Sequence, residues 1–411
     1  MRSIFINTWA LFFGFSILCL GHGLQGTLIG VRAVLENFSY FEIGFVMSGY
    51  YIGFLLGSIL IPILLNRVGH IRVFAALASL ASIAILLHSL FINPSYWFII
   101  RILTGISLAG IFVIMESWLN DKSSNKTRGK ILATYMIVTF LFLGLGQFLL
   151  NLSNPIKVDL FILISILLSL SLIPILLSVS QAPIFNNPKR ISFKELYVIT
   201  PLGFVGALII GLSHGTVFGY GAVYAAAKGL STFNISLFMV TITIFGALFQ
   251  WPIGFISDKI DRRIILIAIT LVASGLSIII VISSYLSLFL FFIVIALFAG
   301  MCLPMYSLVV AHTNDFLQPE EIVAASASIS ILVSIGLIMG PISVSLFMNL
   351  FGADGFFVHL FIVHLFLGLF GLYRMSQRTK SEDLESQYTA LPRNITPAGM
   401  QMNPKTEYEE S

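Results

Sequence analysis

Charged residues are scarce in this chain. They make up 10% of its 411 residues, whereas 58% are hydrophobic, and the mean hydropathy is +1.00. A soluble domain carries about 25% charged residues, and a globule of this length could not bury so much apolar surface. The composition therefore excludes a soluble globular domain and favours a protein embedded in a bilayer.

Cysteine is also nearly absent. Cys19 and Cys302 are the only two, and both fall in apolar runs, which argues against a disulfide framework and favours small packing residues. The sequence has no His-x-x-x-His or Cys-x-x-Cys spacing and no Gly-Lys-Ser/Thr phosphate loop. We therefore predict no metal, no cofactor, no ATP-driven cycle and no enzymatic activity. The coupling ion of a cycle that does not use ATP is predicted to be the proton.

Apolar runs long enough to cross a membrane need about 20 residues. Between charged or turn-rich breaks, the sequence predicts twelve such helices at residues 6–30, 40–65, 72–92, 95–118, 130–150, 158–180, 200–226, 234–257, 263–284, 286–312, 321–349 and 354–376. The most clear-cut is the stretch 264–314, which contains no Asp, Glu, Lys or Arg and is long enough for two spans.

The net charge of +4 is interpreted as loop charge rather than as a nucleic-acid surface. With the N-terminus in the cytoplasm, 18 of the 22 basic residues fall in cytoplasmic segments and three in external ones. This bias follows the positive-inside rule. It predicts an even number of spans, cytoplasmic N- and C-termini and a multi-pass protein of the bacterial inner membrane, with the lipid bilayer as its partner. We expect a monomer that binds no nucleic acid.

Two polar segments divide the chain. Residues 181–199 form a linker, and residues 377–411 form a polar tail of low hydrophobicity, which is typical of disorder. We therefore predict a first six-helix bundle at 1–180, a cytoplasmic linker at 181–199, a second bundle at 200–376 and a disordered cytoplasmic tail at 377–411.

An internal repeat supports two related halves. Leu-Gly-His22-Gly returns as Leu-Ser-His214-Gly, and Asn66-Arg67-Val returns as Asp258-Lys259-Ile, both at an offset of 192 residues. Ser39, Phe41 and Ile43 return as Ser231, Phe233 and Ile235 at the same offset. Such duplication is the plan of alternating-access carriers, in which two halves rock around a central site.

The loop motifs carry a family resemblance. Gly254-Phe-Ile-Ser-Asp258-Lys259-Ile-Asp-Arg262-Arg263 resembles the signature loop of the major facilitator superfamily, and Arg101-Ile-Leu-Thr-Gly105 resembles its fourth-helix pattern. The stretches Arg67-Val-Gly-His-Ile-Arg72, Glu116-Ser-Trp-Leu, Arg128-Gly-Lys-Ile-Leu-Ala-Thr-Tyr135 and Gln250-Trp-Pro-Ile-Gly254 are similar to its YcaD-like branch. The resemblance spans roughly residues 7–376 and implies an all-α fold of twelve helices in two six-helix bundles.

The resemblance also implies a cytoplasmic gate, in which the loop charges pair with a helix end of the opposite half when that side is shut. Topology signalling alone is the alternative interpretation. The family's acid and glycine are replaced by Asn66 and Pro62 in the first copy, which predicts a weaker first latch. The predicted gate residues are Asn66, Arg67, Gly69, Arg72, Gly254, Asp258, Lys259, Arg262 and Arg263.

Ionisable residues inside spans are functional candidates because burying their charge costs at least about 2.5–3.5 kcal/mol. Arg101 is interpreted as an anion-binding or proton-relay residue, although it could snorkel outward. Glu116 is either a coupling carboxylate or an interface charge. His22 and His214 are a symmetric pair that could bind solute or carry a proton, or could be structural. The remaining candidates for the solute and proton pathway are Gln25, Gln147, Tyr220 and Tyr306.

These features predict a secondary active transporter of a small organic solute, coupled to protons. Uptake symport and efflux antiport remain open. The fifth helix reads Gly144-Leu-Gly-Gln147, without the Gly-x-x-x-Gly-Pro pattern that the family's drug antiporters carry, which counts against that efflux mechanism. A non-transporting membrane sensor or a lipid-handling protein is the alternative from a different class.

Overall fold

The computed structural model describes residues 2–123, 127–177, 191–318, 321–377, 388–392, 396 and 399, with side chains from residue 9 onward. The described part is helical and contains no strand. Its long helices form twelve spans, which we number 1 to 12. They are Arg2–Leu35, Tyr40–Val68, His70–Leu90, Pro94–Asp121, Arg128–Phe148, Asp159–Leu170 with Leu172–Leu176, Pro201–Ala227, Thr232–Ser257, Arg262–Leu286, Leu288–Cys302 with Met305–Asn314, Ile322–Phe351 and Gly355–Gln377.

The last two spans form one apolar stretch, Ile322–Gln377, of 56 residues. A single helix of that length would measure about 84 Å, against roughly 30 Å for the bilayer core. A 3-10 turn at Gly352–Asp354, entered with Gly352 at φ +63°, breaks the stretch. It therefore crosses twice, and the twelve predicted helices are confirmed in the described residues.

Prolines explain two interruptions that hydropathy does not show. Span 10 stops at Cys302 and restarts at Met305, on either side of Pro304. Span 6 breaks at Ser171, three residues before Pro174. A proline ring clashes with the carbonyl four residues earlier and offers no N–H, so each helix ends just ahead of the proline.

The two halves repeat their local structure as well as their sequence. The Ser39 side chain accepts a hydrogen bond from the N–H of Glu42 at the start of span 2. Ser231 does the same for Asn234 at the start of span 8. A serine at this position satisfies an N–H that the first helical turn leaves unpaired. The 192-residue offset therefore reproduces the point where the second helix of each half begins.

Glycines bring helices into backbone contact within each half. A Cβ on Gly23 would lie 2.2 Å from the carbonyl oxygen of Leu143, which joins spans 1 and 5. A Cβ on Gly215 would lie 2.4 Å from the carbonyl oxygen of Leu337, which joins spans 7 and 11. Small residues allow such close packing between membrane helices, and these two glycines are related by the repeat.

The two six-helix halves are in direct contact near one membrane face of the molecule. We call the face where span 1 begins and span 12 ends the termini face, and the opposite one the far face. Near the far face, a Cβ on Gly44 would lie 2.6 Å from the carbonyl oxygen of Pro341. The Tyr220 hydroxyl donates a hydrogen bond to the Tyr40 carbonyl across the same junction. The far side of the molecule is therefore closed.

The polar segments differ from expectation. Within the linker predicted at 181–199, residues 181–190 lie outside the described residues, and Phe193–Ile199 form a short helix whose Leu196 is buried. The tail was predicted as disordered at 377–411, and among its described residues Leu391 is 2% exposed and Thr396 is 1% exposed. These residues pack between the two halves, so burial against the helices outweighs the low hydrophobicity of the segment as a whole.

Candidate functional site

Three polar side chains meet in the first half of the molecule. The Nε2 atom of His22 on span 1 lies 3.4 Å from the Tyr50 hydroxyl on span 2. The Cζ atom of Arg101 on span 4 lies 4.7 Å from the centroid of the Tyr50 ring. Exposed fractions of 9%, 8% and 5% show that all three are buried. Tyr50 was missing from the sequence prediction, and it joins two residues that were predicted separately.

Two glycines place Tyr50 over Arg101. A Cβ on Gly53 would lie 2.1 Å from the carbonyl oxygen of Ile102, and one on Gly105 would lie 2.1 Å from the carbonyl oxygen of Tyr50. Spans 2 and 4 therefore approach at backbone distance on the turns that carry the ring and the guanidinium. A cation over the face of an aromatic ring is stabilised by about 0.5–2 kcal/mol.

Among the described residues, no carboxylate pairs with Arg101. None of the ion pairs formed by the described residues includes it, and its Nε atom makes no hydrogen bond. A buried cation is costly unless it is paired. The ring of Tyr50 offsets only part of that cost, so the site is suited to receive an anionic group.

The Gln25 amide lies one turn from His22 on span 1 and is fully buried. Neither its oxygen nor its nitrogen has a hydrogen-bond partner among the described residues. Unsatisfied buried amides cost about 1–3 kcal/mol. Beside it, a Cβ on Gly26 would meet no atom within 4 Å. This part of span 1 therefore combines unpaired polar atoms with open space.

Glu116 lies near the termini-face end of span 4 and is completely buried. Its Oε1 atom accepts a hydrogen bond of 2.8 Å from the Tyr135 hydroxyl on span 5. No ion pair of the described residues includes it. Its separation from Arg101 along the helix is about 22 Å. The two charges therefore belong to different sites.

The predicted residues of the second half make structural contacts. The Nε2 atom of His214 lies 3.2 Å from the Cys302 carbonyl oxygen, within that half. Tyr220 forms the far-face contact with Tyr40. Tyr306 is 2% exposed on span 10. His22 and His214 therefore match in sequence but not in surroundings, since His22 lies beside Tyr50 and His214 beside the Cys302 carbonyl.

Gln147 also belongs to the far-face junction. The side-chain Nε2 atom of Gln147 donates a hydrogen bond of 3.4 Å to the Thr243 hydroxyl. Its backbone carbonyl accepts a hydrogen bond of 2.9 Å from the Ser236 hydroxyl. Both partners lie on span 8, in the other half. Gln147 therefore joins spans 5 and 8 and does not reach the cluster around Tyr50.

A polar network links spans 7, 10, 11 and 12 in the second half. The Ser213 hydroxyl lies 2.8 Å from His364 Nε2. The Ser343 hydroxyl lies 2.9 Å from His359 Nε2, and the Thr216 hydroxyl lies 3.4 Å from the other nitrogen of that ring. These histidines are held by hydroxyl groups between helices, which is a packing role.

The second copy of the predicted gate pairs within its own half. Arg262 is 2% exposed and bridges Asp258, at 3.0 Å, and Asp315, at the end of span 10. The neighbouring Arg263 binds Asp261 at 2.7 Å, and Lys259 lies 3.8 Å from the centroid of an aromatic ring. These ion pairs all lie within the second half.

The first copy of the gate stands in solvent. Asn66, Arg67 and Arg72 are exposed, and neither arginine is in an ion pair of the described residues. Gly69 adopts φ +89° between spans 2 and 3, a conformation that favours glycine. This glycine makes the turn, while the polar residues around it make no latch in this structure.

No group of three or more His, Cys, Asp or Glu in the described residues is arranged to hold a metal ion. The polar chemistry of the described spans is instead a cation on an aromatic ring, an imidazole, an unpaired amide and a separate buried carboxylate. Such groups can bind a solute and exchange protons.

Known proteins resemble this chain over most of its length. The sequence profile of the Major Facilitator Superfamily matches residues 11–246 and 203–402. The MFS-type transporter YcaD of Escherichia fergusonii is 25% identical over 371 residues, which are 90% of this chain and 95% of that protein. YcaD of Escherichia coli O45:K1 is 25% identical over 348 residues, which are 84% of this chain and 90% of that protein.

Solved structures show the same fold. The nucleoside transporter NupG superposes with a TM-score of 0.73 at 13% identity, covering 91% of this chain and 100% of its own. A bacterial homologue of the human lysosomal transporter Spinster, in an inward-facing and occupied conformation, superposes with a TM-score of 0.70 at 14% identity. The match covers 92% of this chain and 97% of that homologue. The predicted fold class is confirmed. The molecule is a multi-pass membrane transporter rather than an enzyme.

Proposed function

Because the chain belongs to the Major Facilitator Superfamily, we propose that it is a secondary active carrier that moves a small organic solute by alternating access. The observation that carries the proposal is the buried Arg101 guanidinium, which stacks on Tyr50 and has no carboxylate partner among the described residues. The solute site is in the first half, where spans 1, 2 and 4 meet.

The solute carries a negative group. A charge at the centre of a membrane helix costs at least about 2.5–3.5 kcal/mol, and an anionic solute would recover part of this cost by pairing with Arg101. The planar guanidinium suits a carboxylate or a phosphate, which it can bind through two parallel hydrogen bonds. The unpaired amide of Gln25 supplies a donor and an acceptor for a second polar group of the solute.

Proton coupling uses two separate groups. His22 is beside Tyr50, and histidine is the side chain whose charge changes near neutral pH. Glu116 is a second group that can take up and release a proton, and it lies toward the termini face. Since the two lie on different spans and at different depths, one can respond to the solute while the other exchanges with the aqueous side.

The carrier works in the bacterial inner membrane with both termini in the cytoplasm, and it acts as a monomer. The support is the excess of basic residues in the loops of the termini face, which the positive-inside rule assigns to the cytoplasm. Uptake symport and efflux antiport use the same geometry, so the direction is an outcome of the flux experiment.

The experiment has two stages. A thermal-shift screen of purified protein against small carboxylates, organic phosphates and their uncharged analogues identifies the solute, because a ligand of the folded state stabilises it. Proteoliposomes with an imposed pH gradient then measure uptake of the labelled solute. Flux that follows the pH gradient in either direction supports the proposal. Stabilisation by the uncharged analogues alone would contradict the anion site, and flux indifferent to the gradient would contradict the coupling.

A further inference from the structure

The described residues of the C-terminal tail lie inside the molecule, at the termini face. Leu391 and Thr396 are 2% and 1% exposed, although they follow the last span. This segment differs in charge from the residues that precede it. Residues 388–400 contain one charged residue, Arg393, whereas residues 378–387 contain five. A segment with so few charges can lie between apolar helices at a lower desolvation cost than its charged neighbours.

The segment first contacts the second half. The N–H of Tyr388 donates a hydrogen bond of 2.6 Å to Asp258 Oδ1, in the predicted gate loop. The Tyr388 ring covers Gly254, where a Cβ would lie 2.3 Å from the ring. Since any side chain at that position would meet the ring, the glycine of the gate motif leaves the space in which this aromatic side chain lies.

Leu391 joins the same segment to span 10. Its N–H donates a hydrogen bond of 2.9 Å to the Ser307 hydroxyl, which in turn lies 3.5 Å from the Leu391 carbonyl oxygen. A single serine therefore pairs with both backbone groups of one tail residue. This arrangement recognises the backbone, and the buried leucine side chain adds apolar contact.

Thr396 and Gly399 then reach the first half. The Oε2 atom of Glu116 accepts hydrogen bonds from the Thr396 N–H and the Gly399 N–H, both at 3.0 Å, and a third from the Thr396 hydroxyl. Since no cation of the described residues pairs with Glu116, these donors and Tyr135 are what balance its buried charge. Hydrogen bonds to a charged group are the stronger ones in proteins.

The tail therefore spans the gap between the halves on the side opposite their direct contact. At the far face the halves touch through Tyr220 and Tyr40. At the termini face, Ser307 of span 10 and Glu116 of span 4 are joined through the tail. Alternating access requires spans of the two halves to approach at the termini face, and a segment lying between them prevents that approach.

We propose that the described tail residues 388–392, Thr396 and Gly399 act as an autoinhibitory segment. Its binding site is the gap between the two halves at the termini face. A segment bound in this gap holds the carrier in the state that is closed at the far face. Glu116 is the anchor of the first half, and Asp258 and Ser307 are the anchors of the second. Release of the segment is required before the termini face can close.

The test compares the full-length chain with Thr396→Asp. A carboxylate at this position would lie beside that of Glu116, and the like charges would expel the segment. Thr396→Ser is the matched control, because it keeps both donors. Leu391→Asp, which places a charge at a buried apolar position, is a second variant for use if Thr396→Asp does not reach the membrane.

The first measurement is the rate of hydrogen–deuterium exchange at the Leu391 amide of the chain in nanodiscs. That N–H is bonded to Ser307 while the segment is in place, so faster exchange reports its release. We expect Thr396→Asp to raise the rate at least about tenfold, since a hydrogen bond to a charged group contributes a factor of that order. Thr396→Ser should leave it unchanged. Equal rates in the native and Thr396→Asp backgrounds would overturn the proposal.

The second measurement is the distance between spin labels on Leu152→Cys and Leu350→Cys, which are exposed at the far face on opposite halves. We expect one short distance in the native chain and an added longer population in Thr396→Asp. An unchanged distribution would overturn the claim that the tail holds the far face closed. Neither measurement uses a solute, so the result stands apart from the proposed transport activity.

Discussion

The Cζ atom of Arg101 lies 4.7 Å from the centroid of the Tyr50 ring. The ring is held there by the close packing of spans 2 and 4, and its hydroxyl faces His22 on span 1. One aromatic side chain therefore lies against both the buried cation and a titratable imidazole. This arrangement gives a physical route by which a solute that binds the cation can influence a proton.

Arg101→Gln should strongly reduce transport while leaving the protein folded. Glutamine keeps hydrogen-bonding capacity but removes the charge, so the anionic group of the solute loses its partner. We expect solute flux in proteoliposomes to fall at least about tenfold, since a charge-assisted hydrogen bond contributes about 1.5–3 kcal/mol. Lys157→Gln is the control, because it removes an exposed charge from a far-face loop. Native flux in Arg101→Gln would remove this residue from the solute site.

Gly105→Ala should destabilise the first half. The added Cβ would lie 2.1 Å from the carbonyl oxygen of Tyr50, and backbone atoms cannot rotate away as a side chain can. Overpacking costs about 1–3 kcal/mol, so thermal unfolding in detergent should begin at a lower temperature. Gly26→Ala is the matched control, because its Cβ would meet nothing within 4 Å. Equal unfolding temperatures for both variants would show that spans 2 and 4 are not in backbone contact.

The frame of the molecule could be predicted because the bilayer restricts it. An apolar run of about 20 residues has few alternatives to a membrane helix, and the 192-residue offset in the sequence identifies the two halves. The interruption at Pro304 was missed because hydropathy averages over a window in which one proline hardly counts. The physical signal was present, since proline cannot continue the hydrogen-bond ladder of a helix.

The site was predictable only in part. Arg101 stands out because charge is rare in an apolar run, but hydropathy does not say which helix faces it. Tyr50 was missed for that reason. The repeat suggested that His214 would mirror His22, yet it binds the carbonyl of Cys302, because packing in each half has diverged around a shared frame. The average composition of the tail does not reveal that residues 388–400 contain a single charged residue, Arg393.

Tyr220→Phe should make the far face open more often. The Tyr220 hydroxyl donates a hydrogen bond to the Tyr40 carbonyl, which joins the two halves. Loss of a neutral hydrogen bond costs about 0.5–1.5 kcal/mol, a factor of roughly 2–10 in the opening equilibrium. We expect a matching rise in the rate at which an impermeant maleimide, added to the far side of sealed vesicles, labels Gly26→Cys.

Tyr224→Phe is the control for this measurement. It lies one turn further along span 7 and is also fully buried, but its hydroxyl makes no hydrogen bond to the described residues. Removing that hydroxyl should leave the labelling rate unchanged. If both variants label at the native rate, the hydrogen bond from Tyr220 does not help to close the far face.

Arg262→Gln should destabilise the second half. Arg262 neutralises two carboxylates, and the side chain of Asp315 is only 4% exposed, while that of Asp258 is 34% exposed. Removing the cation leaves one carboxylate buried without its partner, and truncating one member of a buried pair costs about 3–5 kcal/mol. Because the Asp258 side chain can be hydrated, we expect the free energy of unfolding to fall by only about 2–3 kcal/mol. Chemical unfolding in detergent measures this loss.

The double variant Arg262→Gln with Asp315→Asn identifies the cause. If the loss arises from the uncompensated Asp315 carboxylate, neutralising that carboxylate should recover much of it, and the two substitutions should be strongly non-additive. Lys259→Gln removes the same charge from the same loop at an exposed position, so its effect should stay within about 0.5 kcal/mol. Additive losses from Arg262→Gln and Asp315→Asn would mean that the bridge contributes nothing, and that these residues act only through the surrounding packing.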